Sequence, residues 1–125
     1  MASKSLKIAV MVLKGILSAN FIMVGSMKVI GAEDAVGMFV HYGYPIWFCM
    51  VVGLIEIAGG IGLWIRKLAN YALFALMAIM TGALVTHILF EEYVSVLIII
   101  VYLLLLMAVA FYDRSRSVRR SASLD

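Results

Sequence analysis

Within residues 53–67, GLIEIAGGIGLWIRK, a single carboxylate, Glu56, interrupts an apolar run that ends in Arg66 and Lys67. At the centre of a membrane helix an acidic side chain costs about 3 kcal/mol on insertion scales. Such a group is kept facing other helices or a cavity rather than lipid, and there it can hold a proton, bind an oxygen or pair with a cation. Cys49, Gly53, Glu56 and Gly60 recur at spacings of four, three and four, which puts them on one helical face. Glycines on that face let a neighbouring backbone or a ligand approach. The plainer alternative is a Glu56 that hydrogen-bonds across to another helix and serves only as glue.

Two other groups could join it. Lys14, Ser18, Phe21, Gly25 and Lys28 share a face of the preceding apolar run, with Lys28 at its far end. A lysine there can also simply extend its ammonium into the headgroups. His87 stands near the end of a third run, on a face with Ala83 and Met80, and the bland reading is a hydrogen-bonded interfacial histidine. At about 1.5 Å rise per residue, Lys28 and His87 are expected to lie roughly 8–12 Å nearer the outside than Glu56. Contact then requires the second helix to shift outward, or a water or ligand in the gap. A narrow cavity open to the outer leaflet would satisfy this, with Glu56, Lys28 and His87 as its polar groups. Phe21, Gly25, Gly53 and Gly60 would be its walls.

The elements that must carry these residues are legible from hydropathy. The chain has 125 residues, 66% of them apolar and only 14% charged, and its mean hydropathy is +1.12. That composition excludes a soluble globular domain. Four apolar runs, about 8–30, 46–65, 69–90 and 93–112, each approach the roughly 20 residues that span a bilayer core. Their short connections predict an all-α membrane protein, a four-helix antiparallel bundle over residues 1–112. Lys4, Lys7, Arg66, Lys67, Arg114, Arg116, Arg119 and Arg120 flank one side, against Glu33, Asp34, Glu91 and Glu92 on the other. The positive-inside rule therefore predicts both termini in the cytoplasm of a cell (inner or plasma) membrane. Loop 31–45, GAEDAVGMFVHYGYP, predicts a short interfacial helix from Glu33 to Tyr42, ended by Gly43 and followed by Pro45 opening the next helix. Residues 113–125 are expected to be a disordered basic tail that meets anionic lipid. The first apolar stretch has no small-x-small cleavage site after it and is read as a retained helix.

Several chemistries are excluded or weakened. The basic residues cluster at helix ends rather than on a reading face, so nucleic acid is not a partner. One Cys, two His and one buried Glu give no metal-ligand spacing. No Ser/His/Asp set, phosphate loop or dinucleotide fingerprint occurs, and GGIG at 59–62 reads as helix packing. With no self-contained catalytic motif, the chain leans away from being an enzyme, and any oxidoreductase role needs a partner or a bound quinone. Proton or cation transport is a third possibility, weakened by the absence of polar residues between Glu56 and the basic end of its helix.

FIMVGSMKVIG, with Phe21, Gly25 and Lys28, resembles the first-helix signature of the DoxX and DoxX-like small membrane proteins. GLIEIAGGIGLWIRKLANYALFALMA is similar to their second and third helices at Glu56, Gly60, Gly62, Arg66 and Ala69, and ALVTHIL resembles the DoxX-like branch. The resemblance covers residues 8–110 and implies a four-helix membrane bundle. It implies a function less narrowly: members are associated with quinol or thiosulfate:quinone oxidation and with enzymes handling catechols, quinones and oxidative stress. An animal branch includes an assembly chaperone for acetylcholine receptors. Two expectations follow. The first is a redox-linked accessory that binds a quinone or similar lipophile around Glu56, with a membrane redox enzyme as partner. The second is an assembly protein whose polar residues specify packing against another membrane complex or a second copy. The lone Cys49 disfavours a thiol relay.

Overall fold

In the computed structural model, residues 4–124 are described, with side chains over 4–116. Arg119 and Arg120, two of the charges used for orientation, have side chains outside that range. The described residues form five helices and no strand: α1 Lys4–Val29, α2 Glu33–His41, α3 Ile46–Gly62, α4 Ala69–Leu89 and α5 Tyr93–Leu124. α1, α4 and the Tyr93–Arg116 part of α5 are long and apolar enough to cross a membrane. α2 and α3, bent by 119° at their junction, qualify together as a fourth span.

The most extensive packing is between α1 and α3, followed by α4 with α5 and α3 with α4, while α1 and α5 touch only briefly. The core lies toward the basic end, where Leu17, Phe21, Leu63, Leu73, Leu76, Leu106 and Val109 are buried together. Gly59 and Gly62 admit α4 there. A Cβ on Gly59 would stand 2.7 Å from the Leu76 side chain, and one on Gly62 would stand 3.0 Å from Ala72.

Two boundaries differ from the sequence expectation. α3 ends at Gly62 rather than 65, and residues 63–68 form turns. Leu63 stays buried below this end while Trp64 turns to its own partner on α1. At the other end, the described backbone carries α5 through the expected tail as far as Leu124. No Gly or Pro interrupts DRSRSVRRSASL, and Asp113 is held 3.7 Å from Lys14 of α1, so the helix has a tie just where its apolar stretch ends. The short helix of loop 31–45 does form, flanked by Gly31 (φ 76°) and Gly43 (φ 85°). Pro45 caps α3 from just outside it.

Candidate functional site

α1 and α3 meet through glycine. A Cβ placed on Gly25 would sit 2.6 Å from the Gly53 carbonyl oxygen, and one on Gly53 would sit 2.6 Å from the Gly25 carbonyl oxygen. Gly60 continues the seam, with its Cβ position 3.1 Å from the Ser18 carbonyl oxygen. The Gly53 Cβ position is also 2.8 Å from Lys28 Cβ, so Lys28 leaves α1 level with Gly53. Glu56 is three residues further along α3, about 4.5 Å, well within a lysine's reach. The Lys28 ammonium donates to Glu56 Oε1. The Glu56 side chain is 1% exposed and that of Lys28 15%, and Phe39 of α2 covers the ammonium with its ring centroid 5.7 Å away. Cys49, on the same α3 face, is fully buried.

The expected gap between Lys28 and Glu56 is therefore closed by direct contact. Counting from the ends of the apolar runs placed Lys28 at the rim. Gly53 is seven residues into α3, so α3 rises about 10 Å beyond Lys28. α2 then roofs the recess this leaves. No sequence signal marked Phe39 as the roof, since its role depends on the sharp bend between α2 and α3.

His87 is not part of this pair. It belongs to a second polar cluster, where the chain turns from α4 to α5. Its Nδ1 lies 2.8 Å from Glu92 Oε1 and 3.3 Å from the Tyr42 hydroxyl. Tyr42 donates to the same Glu92 oxygen at 2.5 Å. Beside them the hydroxyls of Tyr44 and Thr86 are 2.7 Å apart, and the rings of His41, Tyr42 and Phe90 pack edge-on or tilted against one another. Glu91, at φ 58°, makes the sharp turn that aims Glu92 inward. Burial, then the hydrogen bond to Glu92 and its charge, push the Tyr42 hydroxyl up to about 12. The hydrogen bonds from Tyr42 and then His87 hold the Glu92 carboxyl below its usual range. This cluster latches the C-terminal end of α2 onto α4 and α5. Sequence reading found His87 but missed Tyr42 and Glu92 as its partners, which lie 45 residues before it and five after.

Phe21 faces α5, edge-on to Tyr102 at 5.9 Å between centroids. At the basic end Trp64 Nε1 donates to Ser18 Oγ at 2.9 Å, with Lys14 Nζ 5.5 Å from the Trp64 ring. Among the described residues no group of three His, Cys, Asp or Glu side chains could hold a metal.

Of the predicted site residues, Lys28, Glu56, Gly25 and Gly53 come together, Gly60 extends their seam, Phe21 lines a neighbouring face, and His87 stands apart. A profile of the DoxX-like family matches residues 12–109. The chain belongs to the DoxX-like family. The match contains the Lys28–Glu56 pair, α2 and the latch, and stops before the basic end of α5. This DoxX-like protein is also 37% identical over 67 residues to the uncharacterized protein YdgD of Bacillus subtilis (strain 168), an alignment covering 50% of this chain and 59% of that relative. No solved structure matches the chain. Family and apolar helices together make it a membrane protein.

Proposed function

We propose that this DoxX-like protein is a redox-linked membrane accessory that binds the head group of a quinone or similar lipophile at Lys28 and Glu56, beneath α2. The observation that carries this is the buried Lys28–Glu56 pair itself. A buried ion pair is often no more stabilising than an apolar replacement of similar volume. Glycine contacts already hold α1 on α3, so packing alone does not account for the charges. Intramembrane ionisable groups mark sites of ligand or proton chemistry. With α2 raised about its two flanking glycines, Lys28 can donate to a quinone carbonyl and Glu56 can accept from a quinol hydroxyl. In this reading the bound quinone is the redox centre, and a partner enzyme supplies its electrons or takes them from the quinol.

The topology that goes with this reading has four antiparallel spans, α1, α3, α4 and α5. α2 lies at the outer interface of a cell membrane, and both termini are cytoplasmic. Lys4, Lys7, Arg66, Lys67, Arg114 and Arg116 support that orientation.

The rival reading is assembly, with the pair fixing the register of α1 on α3 and other faces receiving a partner. The 2.6 Å glycine approaches favour it, since they suit a rigid docking unit. Native mass spectrometry of gently released protein, with analysis of co-purifying lipids, separates the two. Quinone at near one per chain in the wild type, lost in Glu56→Gln, is the expected result. Only bulk phospholipid, equal in both proteins, would sink ligand binding and leave assembly.

A further inference from the structure

The weak contact between α1 and α5 leaves a groove of about 320 Å³ between them, on a different side of α1 from the Gly25 seam. Its wall is almost wholly apolar, with Ile16, Val101 and Leu105 in it, and Asn20 and Tyr102 are the residues of polar type along it. Asn20 is six residues from Lys14 and eight from Lys28, about 9 Å and 12 Å along the helix. It therefore sits at hydrocarbon depth in the proposed topology. Tyr102 stands at the same level, because its ring packs on Phe21. Elsewhere in the fold, hydroxyls and indole find partners: Ser18 with Trp64, Ser26 with the Ile22 carbonyl, Thr81 with the Met77 carbonyl. Among the described residues neither the Asn20 amide nor the Tyr102 hydroxyl has a side-chain hydrogen bond.

An amide can donate twice and accept twice, and a phenol can do one of each. In hydrocarbon no water satisfies them, so a polar pair of this kind calls for a bound group. We propose that the α1–α5 groove is a second binding site, which takes an uncharged lipid-soluble molecule through a carbonyl or hydroxyl oxygen held by Asn20 and Tyr102. Its volume falls at the lower end of the roughly 300–1,000 Å³ of small-molecule sites, and a mostly apolar lining with a few convergent polar groups is their usual character. Neither charge nor proton transfer is needed, in contrast to the Lys28–Glu56 pair. A second copy of the chain fits less well, since close helix–helix seams in membranes use small residues and this groove is walled by branched and aromatic ones.

The test uses full-length protein in phosphatidylcholine vesicles and two photoreactive probes: a long-chain ketone with a diazirine near the carbonyl, and the matching diazirine alkane without oxygen. Cross-linked positions are mapped by mass spectrometry. The ketone is expected to label residues 13–20 and 98–105 at least fivefold above the alkane. That excess should fall at least fivefold in Asn20→Leu and two- to threefold in Tyr102→Phe, and most of it should survive in Asn20→Gln. Both apolar exchanges remove a polar group from hydrocarbon and leave the helices intact, which circular dichroism checks. Equal labelling by the two probes, or labelling indifferent to Asn20→Leu, overturns the proposal. So does a dimer that Asn20→Leu dissociates without any ketone-specific label. The outcome is independent of the first site: ketone label lost in Glu56→Gln but kept in Asn20→Leu assigns the ligand to the ion pair and refutes the groove. Groove label persisting in Glu56→Gln, with co-purifying quinone unaffected by that change, refutes the ion-pair site and leaves the groove.

Discussion

Gly25→Ala is the sharpest test of how α1 is held against α3. The added methyl would lie 2.6 Å from the Gly53 carbonyl oxygen, 2.9 Å from Ile57 Cγ1 and 3.1 Å from Glu56 Cβ, where ordinary contact begins near 3.4 Å. The first of these obstacles is backbone and cannot rotate aside, so the helices must part by about 0.8 Å at this level. Overpacking of this kind costs about 1–3 kcal/mol. Alanine recovers at most about 1 kcal/mol over glycine through helix propensity. Parting the helices also draws Lys28 away from Glu56, so the net loss should be about 1–2 kcal/mol. Gly82→Ala is the control, because nothing lies within 4 Å of its Cβ position in α4. There the propensity gain stands alone, up to about 1 kcal/mol. Unfolding by SDS titration in mixed micelles, followed by circular dichroism, should move the two variants in opposite directions from the wild type. Stability of Gly25→Ala at or above wild type would refute the close approach.

A double-mutant cycle on Lys28 and Glu56 should show strong coupling. Lys28→Met strands a buried carboxylate and is expected to cost about 3–5 kcal/mol. Glu56→Leu should cost less, since the freed ammonium can reach the headgroups, and the double exchange should return close to wild type. Additive losses in the same unfolding assay would mean the pair is not coupled. The latch on α2 should respond to pH at both extremes. Glu92 is held low, so its contribution is complete above its ordinary value of 4.5 and fades as pH falls through its depressed folded value. Tyr42 is raised, so its contribution is complete below pH 10 and lost between pH 10 and about 12. Hydrogen exchange of α2 amides, corrected for intrinsic rates, should rise at both extremes of pH, and Tyr42→Phe should raise it throughout. An unchanged profile in Tyr42→Phe would remove the latch.

The sequence was most informative where one helix decides the matter. The spacing of Cys49, Gly53, Glu56 and Gly60 placed all four on a face that is buried in the structure, and Ser18, Phe21 and Gly25 likewise. Run lengths located the helices to within a few residues, apart from the long end of α5. Relations between helices were not legible. Whether Lys28 meets Glu56 depends on the register of α1 against α3. The glycines were visible on their own faces, but which glycine of α1 meets which of α3, and the bend after α2, leave no periodic trace. Asn20 was not singled out in the sequence, and its meaning lies in the gap beside α5, which only packing creates.

The break between α2 and α3 has a consequence for the surrounding bilayer. With 17 residues, α3 is about 26 Å long, short of the roughly 30 Å of a typical hydrocarbon core. α5, at 32 residues, has length to spare. In the proposed four-span topology the protein is thus lopsided in thickness: lipid next to α3 must thin or tilt to match, while lipid next to α5 need not. Mismatch costs a fraction of a kcal/mol per Å, enough for acyl-chain length to bias the posture of α2, which fills the shortfall. A membrane of longer chains would press on that roof first, and the occupancy of whatever lies beneath it would follow the lipids as well as the ligand.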